Sequence, residues 1–241
     1  MTYCVGLLLD AGIVLLSDTR TNAGLDNIST YRKMFLFEDP GERVIGIMTA
    51  GSLSVTQTTL AQIGEAIDDP EATPDSSIMR AETMLSVAEI VGDTLSAVSA
   101  GIAARMSARA ESASASMIVA GQRRGGAMRM FLVYPEGNFI EATPDTPFLQ
   151  IGEHKYGKPI LDRVVRPDTS LVDAQKAVLL SMDSTLRSNL SVGMPLDLAV
   201  IEKDACRVAL QRRIEDQDEA FQAMSSAWSQ ALRDAYRDIE I

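Results

Sequence analysis

Hydrolytic, thiol and metal chemistry most often draw on histidine and cysteine, and this chain has one histidine and two cysteines. One histidine is present, His154, so multi-histidine metal sites and zincin-type helices are excluded. A serine hydrolase would have to use His154 as its base, and no G-x-S-x-G elbow accompanies it. His154 reads instead as a polar loop residue ahead of a helix. The two cysteines, Cys4 and Cys206, lie far apart without a CxxC spacing, which fits reduced thiols better than a disulfide framework or a zinc ribbon. The run Gly152-Glu153-His154-Lys155-Tyr156-Gly157-Lys158-Pro159 has the glycine and lysine spacing of a phosphate-binding loop. It lacks the Ser or Thr that such a loop needs for magnesium, is too bulky to wrap phosphates, and ends in proline. The polar groups that survive are Thr2, Ser17-Asp18-Thr19-Arg20, Arg32-Lys33 and Thr49-Ala50-Gly51-Ser52, each of which is compatible with a purely structural role when taken singly.

The elements that must position them follow from hydrophobic period. Thr2 to Leu9 reads as a buried strand, Asp10-Ala11-Gly12 as a hairpin turn and Ile13 to Asp18 as the partner strand. After a polar stretch from Asn22 to Asn27, Lys33 to Phe37 and Arg43 to Ala50 form two more, split by Asp39-Pro40-Gly41-Glu42. From Ser52 the spacing becomes helical, first through Val55, Leu60, Ile63 and Ile67, then from Ile78 to Ile102. Pro70 and Pro74 stop the first helix, and Asp75 or Ser76 is placed to cap the second. Strands return at Ala115 to Ala120, Arg129 to Val133, Asn138 to Ala142 and Phe148 to Ile151, with the Ser/Ala-rich run Ala110 to Ser116 as a loop leading in. The methionines between Met117 and Met130 alternate with small residues, as core packing does. Helices follow from about Lys158 to Arg163 and Ser170 to Leu190, strands at Leu196 to Ile201 and Arg207 to Leu210, and a last helix at about 218–237.

Helices gathered into consecutive pairs argue against a doubly wound parallel sheet. They favour an α+β fold, a four-layer αββα sandwich of two antiparallel sheets between helical layers, spanning 1–241 as one domain. The charge balance narrows partners further. Lys and Arg number 22 against 33 Asp and Glu, a net −11, so a nucleic-acid partner would bind against the overall field. The opening residues are apolar in short runs broken by Asp10 and Gly12, with no basic segment before them, so neither a signal peptide nor a membrane span is expected and the location expected is cytoplasmic.

Taken together, Thr2, the S-D-T-R ending the second strand, Lys33 opening the third and T-A-G-S running into a helix occur in one known order. In these motifs the chain resembles the N-terminal nucleophile hydrolases of the proteasome β-subunit type. Thr-Tyr-Cys-Val at the start, Tyr31-Arg32-Lys33-Met34, and Ile151-Gly152-Glu153 through Tyr156 to Arg163 look most like the bacterial ancestral branch of that family, Anbu. The resemblance covers nearly the whole chain and implies a threonine-type peptidase or amidohydrolase. In it Thr2, freed of Met1, is the nucleophile and its own α-amine the base; an amine of pKa about 7.7–8.0 makes an imidazole unnecessary. Lys33 would lower the hydroxyl's pKa, Asp18 would keep that lysine charged despite burial, and Gly51 would offer an oxyanion N–H at a helix start.

The resemblance further implies a substrate pocket lined by Thr21, Tyr31, Thr49 and Leu53, and hence a preference for neutral or apolar residues before the cut. It implies a peptide or protein substrate, a self-assembled ring, an unfoldase or adaptor as a further partner, and no metal or organic cofactor. The pattern departs from the family at two places. Glu153 stands where a serine follows the glycine, and in Arg187-Ser188-Asn189-Leu190-Ser191 the aspartate position holds Ser188 while Ser191 matches the serine, with Asp183 one turn away as a substitute. Two other readings stay open: a weak or silent scaffold that retains the fold, and an amide hydrolase acting on a small metabolite.

Overall fold

The computed structural model describes residues 1–22, 28–106 and 114–240. Residues 23–27 of the polar stretch and 110–113 of the Ser/Ala-rich run lie outside them. Strands β1 (Tyr3–Leu9), β2 (Gly12–Asp18), β3 (Arg20–Asn22), β4 (Ile28–Thr30), β5 (Met34–Asp39) and β6 (Arg43–Gly51) come first. Helices α1 (Leu53–Asp68) and α2 (Met84–Met106) follow, then β7 (Ala115–Arg123), β8 (Arg129–Val133), β9 (Phe139–Glu141) and β10 (Phe148–Gly152). Helices α3 (Lys158–Val164) and α4 (Leu171–Ser188), strands β11 (Leu196–Glu202) and β12 (Val208–Ile214), and helix α5 (Glu219–Asp238) complete the order.

Two five-stranded antiparallel sheets, β10-β1-β2-β11-β12 and β5-β6-β7-β8-β9, face each other, and β3 pairs with β4 in a short ribbon. The period-2 alternation of β1 and β2 divides their side chains between two cores. Tyr3, Val5, Leu7, Val14 and Leu16 pack with Leu161, Val178 and Met182 of α3 and α4. Cys4, Ile13 and Leu15 face the other way, against Met34, Met48, Ile118 and Met130 between the sheets. A third cluster joins Ile47, Met117, Val119 and Phe131 to Val55, Ile63, Val87, Val91 and Leu95 of α1 and α2. The result is the four-layer sandwich expected from helix pairing, with the methionines of β7 and β8 in its cores. Among the described residues one helical stretch, Met84–Arg105, is long and apolar enough to cross a membrane; its Val87, Val91 and Leu95 are buried in this third cluster.

Two details depart from the sequence pattern. Helix α2 begins at Met84, not at Ile78, and its first N–H groups are capped by Thr83, whose Oγ1 accepts from Ser86 N at 3.0 Å. Ile78 and Ala81 are buried all the same, because the Arg43 guanidinium donates to both of their carbonyls at 3.0 Å and pins a non-helical segment to the core. Strand β12 runs to Ile214 through the polar residues Gln211, Arg212 and Arg213. It is an edge strand, so these side chains stay exposed, and Arg213 pairs across to Asp197 at 2.8 Å.

Candidate active site

Sheet order brings the polar groups together at one end of the sandwich. β1 starts beside the end of β2, so Asp18 lies next to the first residues of the chain, and the backbone N–H of Tyr3 donates to Asp18 Oδ1 at 3.1 Å. Asp18 is fully buried, and its other oxygen accepts from Gly193 N at 3.3 Å. Lys33, just ahead of β5, is held in place by the bond from Thr49 N to its carbonyl at 2.9 Å. Its ammonium donates to Asp18 Oδ1 at 2.7 Å, to Arg20 O at 2.6 Å and to Met1 O at 3.3 Å. All three N–H donors are thus engaged, and the third touches the peptide group joining Met1 to Thr2. Burial pushes the Asp18 carboxyl up from its ordinary value, against the opposing pull of Lys33 and the two backbone N–H donors.

Thr2 is buried at the wall of a cleft of about 450 Å³ that it shares with Gly51, Thr49, Thr21 and Leu53. Gly51 ends β6 with φ +111°, where an L side chain would be strained and a Cβ would collide with the Ser114 carbonyl. Ser52 and Leu53 then turn the chain into α1, with Ser52 N donating to Ser114 O at 2.9 Å. On the opposite side Gly152, at φ +81°, presses against the Thr2 carbonyl, which accepts from Glu153 N at 2.7 Å. Glu153 therefore grips Thr2 through its backbone.

Four further placements bear on the sequence reading. Tyr31 stands outside the lining of the Thr2 cleft, whereas Arg32 and Thr56 belong to it. Arg32 gave no pocket signal in the sequence, because its neighbour Lys33 accounted for the motif. Its charge also makes the pocket less neutral than Thr21, Thr49 and Leu53 alone imply. Ser191 lies in the turn after α4, its N–H bonded to Asn189 Oδ1 at 2.9 Å, and is not among the residues lining the cleft. Asp183 does not turn toward Thr2: it accepts from Ser225 Oγ of α5 at 2.7 Å and from Arg187 Nε at 3.1 Å, while Ser188 is exposed.

The segment with phosphate-loop spacing is occupied otherwise. Gly152 abuts Thr2, Gly157 packs against Ser181 and the Tyr3 hydroxyl, and Lys158 pairs with Asp162 at 2.6 Å. His154 is exposed, with Nδ1 3.1 Å from Gly152 O. Cys4 lies beneath the site, its Sγ–H directed to Thr49 O at 3.7 Å; burial pushes its thiol up, so it is no nucleophile. Among the described residues no three His, Cys, Asp or Glu side chains gather as a metal site.

Residues 2–201 match the family described as proteasome subunit. Among solved structures, the Anbu (Gly-1) mutant from Hyphomicrobium sp. strain MC1 is 47% identical with a TM-score of 0.93, over 100% of this chain and 99% of that one. Anbu (ancestral beta-subunit) from Yersinia bercovieri is 40% identical with a TM-score of 0.91, over 99% and 98%. The helical assembly of the Anbu complex from Pseudomonas aeruginosa is 41% identical with a TM-score of 0.92, over 99% and 97%. A comparison with curated proteins returns no match.

Proposed function

The chain belongs to the proteasome subunit family, and from that premise we propose that it is a threonine-type amidohydrolase acting on peptides, with Thr2 as nucleophile after removal of Met1. The observation that carries this reading is the third hydrogen bond of Lys33, from Nζ to Met1 O at 3.3 Å. Removing Met1 takes that acceptor away and leaves an ammonium donor beside a new α-amine. That amine, with a pKa of about 7.7–8.0, removes the proton from Thr2 Oγ as the oxygen attacks the carbonyl carbon of the substrate. The negative charge that develops on the carbonyl oxygen is met by the Gly51 N–H at the start of α1. The amine then returns its proton to the departing nitrogen, the C–N bond breaks, and an ester on Thr2 remains for water to hydrolyse by the same proton path. Asp18 holds Lys33 and reacts with nothing.

Intact-mass analysis followed by a peptide epoxyketone, which needs both the threonine hydroxyl and its free amine, tests this. The expected result is a Met-free protein that gains the inhibitor mass and a Thr2→Ala variant that does not. A Met-free protein that stays unlabelled with every epoxyketone tried overturns the reading in favour of a scaffold. The neutral composition of Thr21, Thr49 and Leu53 gives the labelling peptides their first design, and Arg32 sets the second, with an acidic side chain.

Self-association into a ring, in the cytoplasm, is part of the same proposal; the helical assembly of the Pseudomonas aeruginosa relative supports the self-association, not the closure of the ring. Analytical ultracentrifugation at micromolar concentration is expected to show a large oligomer. A monomer there would sink the ring.

A further inference from the structure

Strand β10 is an edge, bonded only to β1. The bonds from Leu8 N to Pro147 O at 2.8 Å and from Glu153 N to Thr2 O at 2.7 Å set the phase of that pairing. Cys4 with Ile151 and Gly6 with Leu149 are then the hydrogen-bonded pairs, and the peptide groups of Phe148, Gln150 and Gly152 point away from β1. Gly152 O is taken by His154 N at 2.9 Å. Among the described residues, the N–H and C=O of Phe148 and Gln150 have no protein partner.

An open edge of this kind invites a strand, and its surroundings say which one. The cleft that holds Thr2 is bounded by Ala50, Gly51 and Gly152. The same three residues bound a second cleft of about 390 Å³ that also takes in Gln150, Ile151 and His154. Gln150 and His154 in turn bound a third, of about 370 Å³, with Phe148 and Leu149. Adjoining clefts therefore follow one another from Thr2 along every residue of β10. β10 runs toward the site and ends at Gly152, so a peptide leaving the site along it runs the opposite way, as an antiparallel ladder requires.

We infer that β10 is the docking strand for the part of a polypeptide substrate that follows the bond to be cut, which joins the Phe148–Gly152 edge as an additional antiparallel strand. The inference rests on the amidohydrolase reading and narrows its substrate to extended polypeptides. Main-chain pairing of this kind gives affinity without demanding particular side chains. At about 3.3 Å per residue, β10 accommodates roughly five residues after the cut.

The test uses the full, Met-free protein and peptides that share one sequence before the cut and carry from one to about six residues after it. Cleavage, followed by mass spectrometry, is expected to rise in kcat/KM by about tenfold or more and then level off near five residues, because ladder bonds remote from the reacting carbon contribute to its positioning. N-methylation walked along that half is expected to abolish the gain at every second residue and spare it at the others. An epoxyketone with nothing beyond its reactive group tests the underlying chemistry separately. Labelling of Thr2 together with a flat length series, or with equal effects of N-methylation at all positions, overturns the β10 inference alone. No labelling and no cleavage overturn the amidohydrolase reading and this inference with it.

Discussion

Lys33→Met is expected to lose essentially all reaction with the epoxyketone and about 3–5 kcal/mol of stability at neutral pH, because it leaves the buried carboxylate of Asp18 without its partner. Met fills much of the volume of the lysine stem, so the loss is electrostatic in origin. The pH dependence distinguishes this from a packing defect. Burial already pushes Asp18 above its unfolded value, and the lysine opposes that push; without the lysine the carboxyl rises further. An acid with a raised folded pKa holds its proton more tightly when folded, so the folded state loses ground as pH rises from the unfolded pKa through the folded one. The deficit of Lys33→Met relative to the wild type should therefore be largest near about pH 8 and shrink toward about pH 4, as the Asp18 carboxyl, raised by burial, takes up its proton and no longer needs a cationic partner. Urea denaturation at the two pH values measures it. A deficit that is the same at both would show that the pair does not determine the stability of this end of the sandwich.

Gly152→Ala is expected to be nearly as damaging, by a different route. Its φ of +81° disfavours an L side chain, and the added Cβ would fall on the Thr2 carbonyl oxygen. The obstacle is backbone, so it cannot swing aside as the end of a flexible side chain would. Either the first residues of β1 shift or the Glu153-to-Thr2 bond breaks, and in both cases Thr2 moves relative to Gly51. A displacement of about an ångström at a nucleophile costs on the order of a hundredfold, so the rate of epoxyketone labelling should fall by about that factor. Gly41→Ala is the control: its φ is also positive, at +84°, but nothing lies within 4 Å of the added carbon. It should lose about 1 kcal/mol of stability from strain and label at the wild-type rate. Equal labelling rates in the two variants would mean that Gly152 does not position Thr2.

The residues of this site are legible in the chain because each sits at a boundary that local physics marks. Asp18 ends an apolar strand, Lys33 opens another, and Gly51 separates a strand from a helix, so a change of hydrophobic period points to each. The short ribbon of β3 and β4 is invisible in the same terms. Arg20-Thr21-Asn22 and Ile28-Ser29-Thr30 are too brief and too polar to show alternation, and pairing alone defines them. The start of α2 is misplaced for a related reason. Ile78 and Ala81 are apolar and buried like helix residues, yet it is Arg43, far away in sequence, that satisfies their carbonyls.

Hydrophobic period and punctuation by glycine and proline determined the order of strands and helices, and helix pairing determined the sandwich, because both are properties of consecutive residues. Composition, with a single histidine, limited any hydrolysis to chemistry that runs mostly without imidazole. Contacts between distant segments were decided by the tertiary structure alone. It turned Asp183 toward α5 and away from Thr2, set Arg32 in the cleft wall, pressed Gly152 on the Thr2 carbonyl and left the outer edge of β10 open beside Thr2. Each depends on which strands become neighbours across the sheet, and that is settled by the joint burial of side chains far apart in the chain, a quantity no local window of sequence contains.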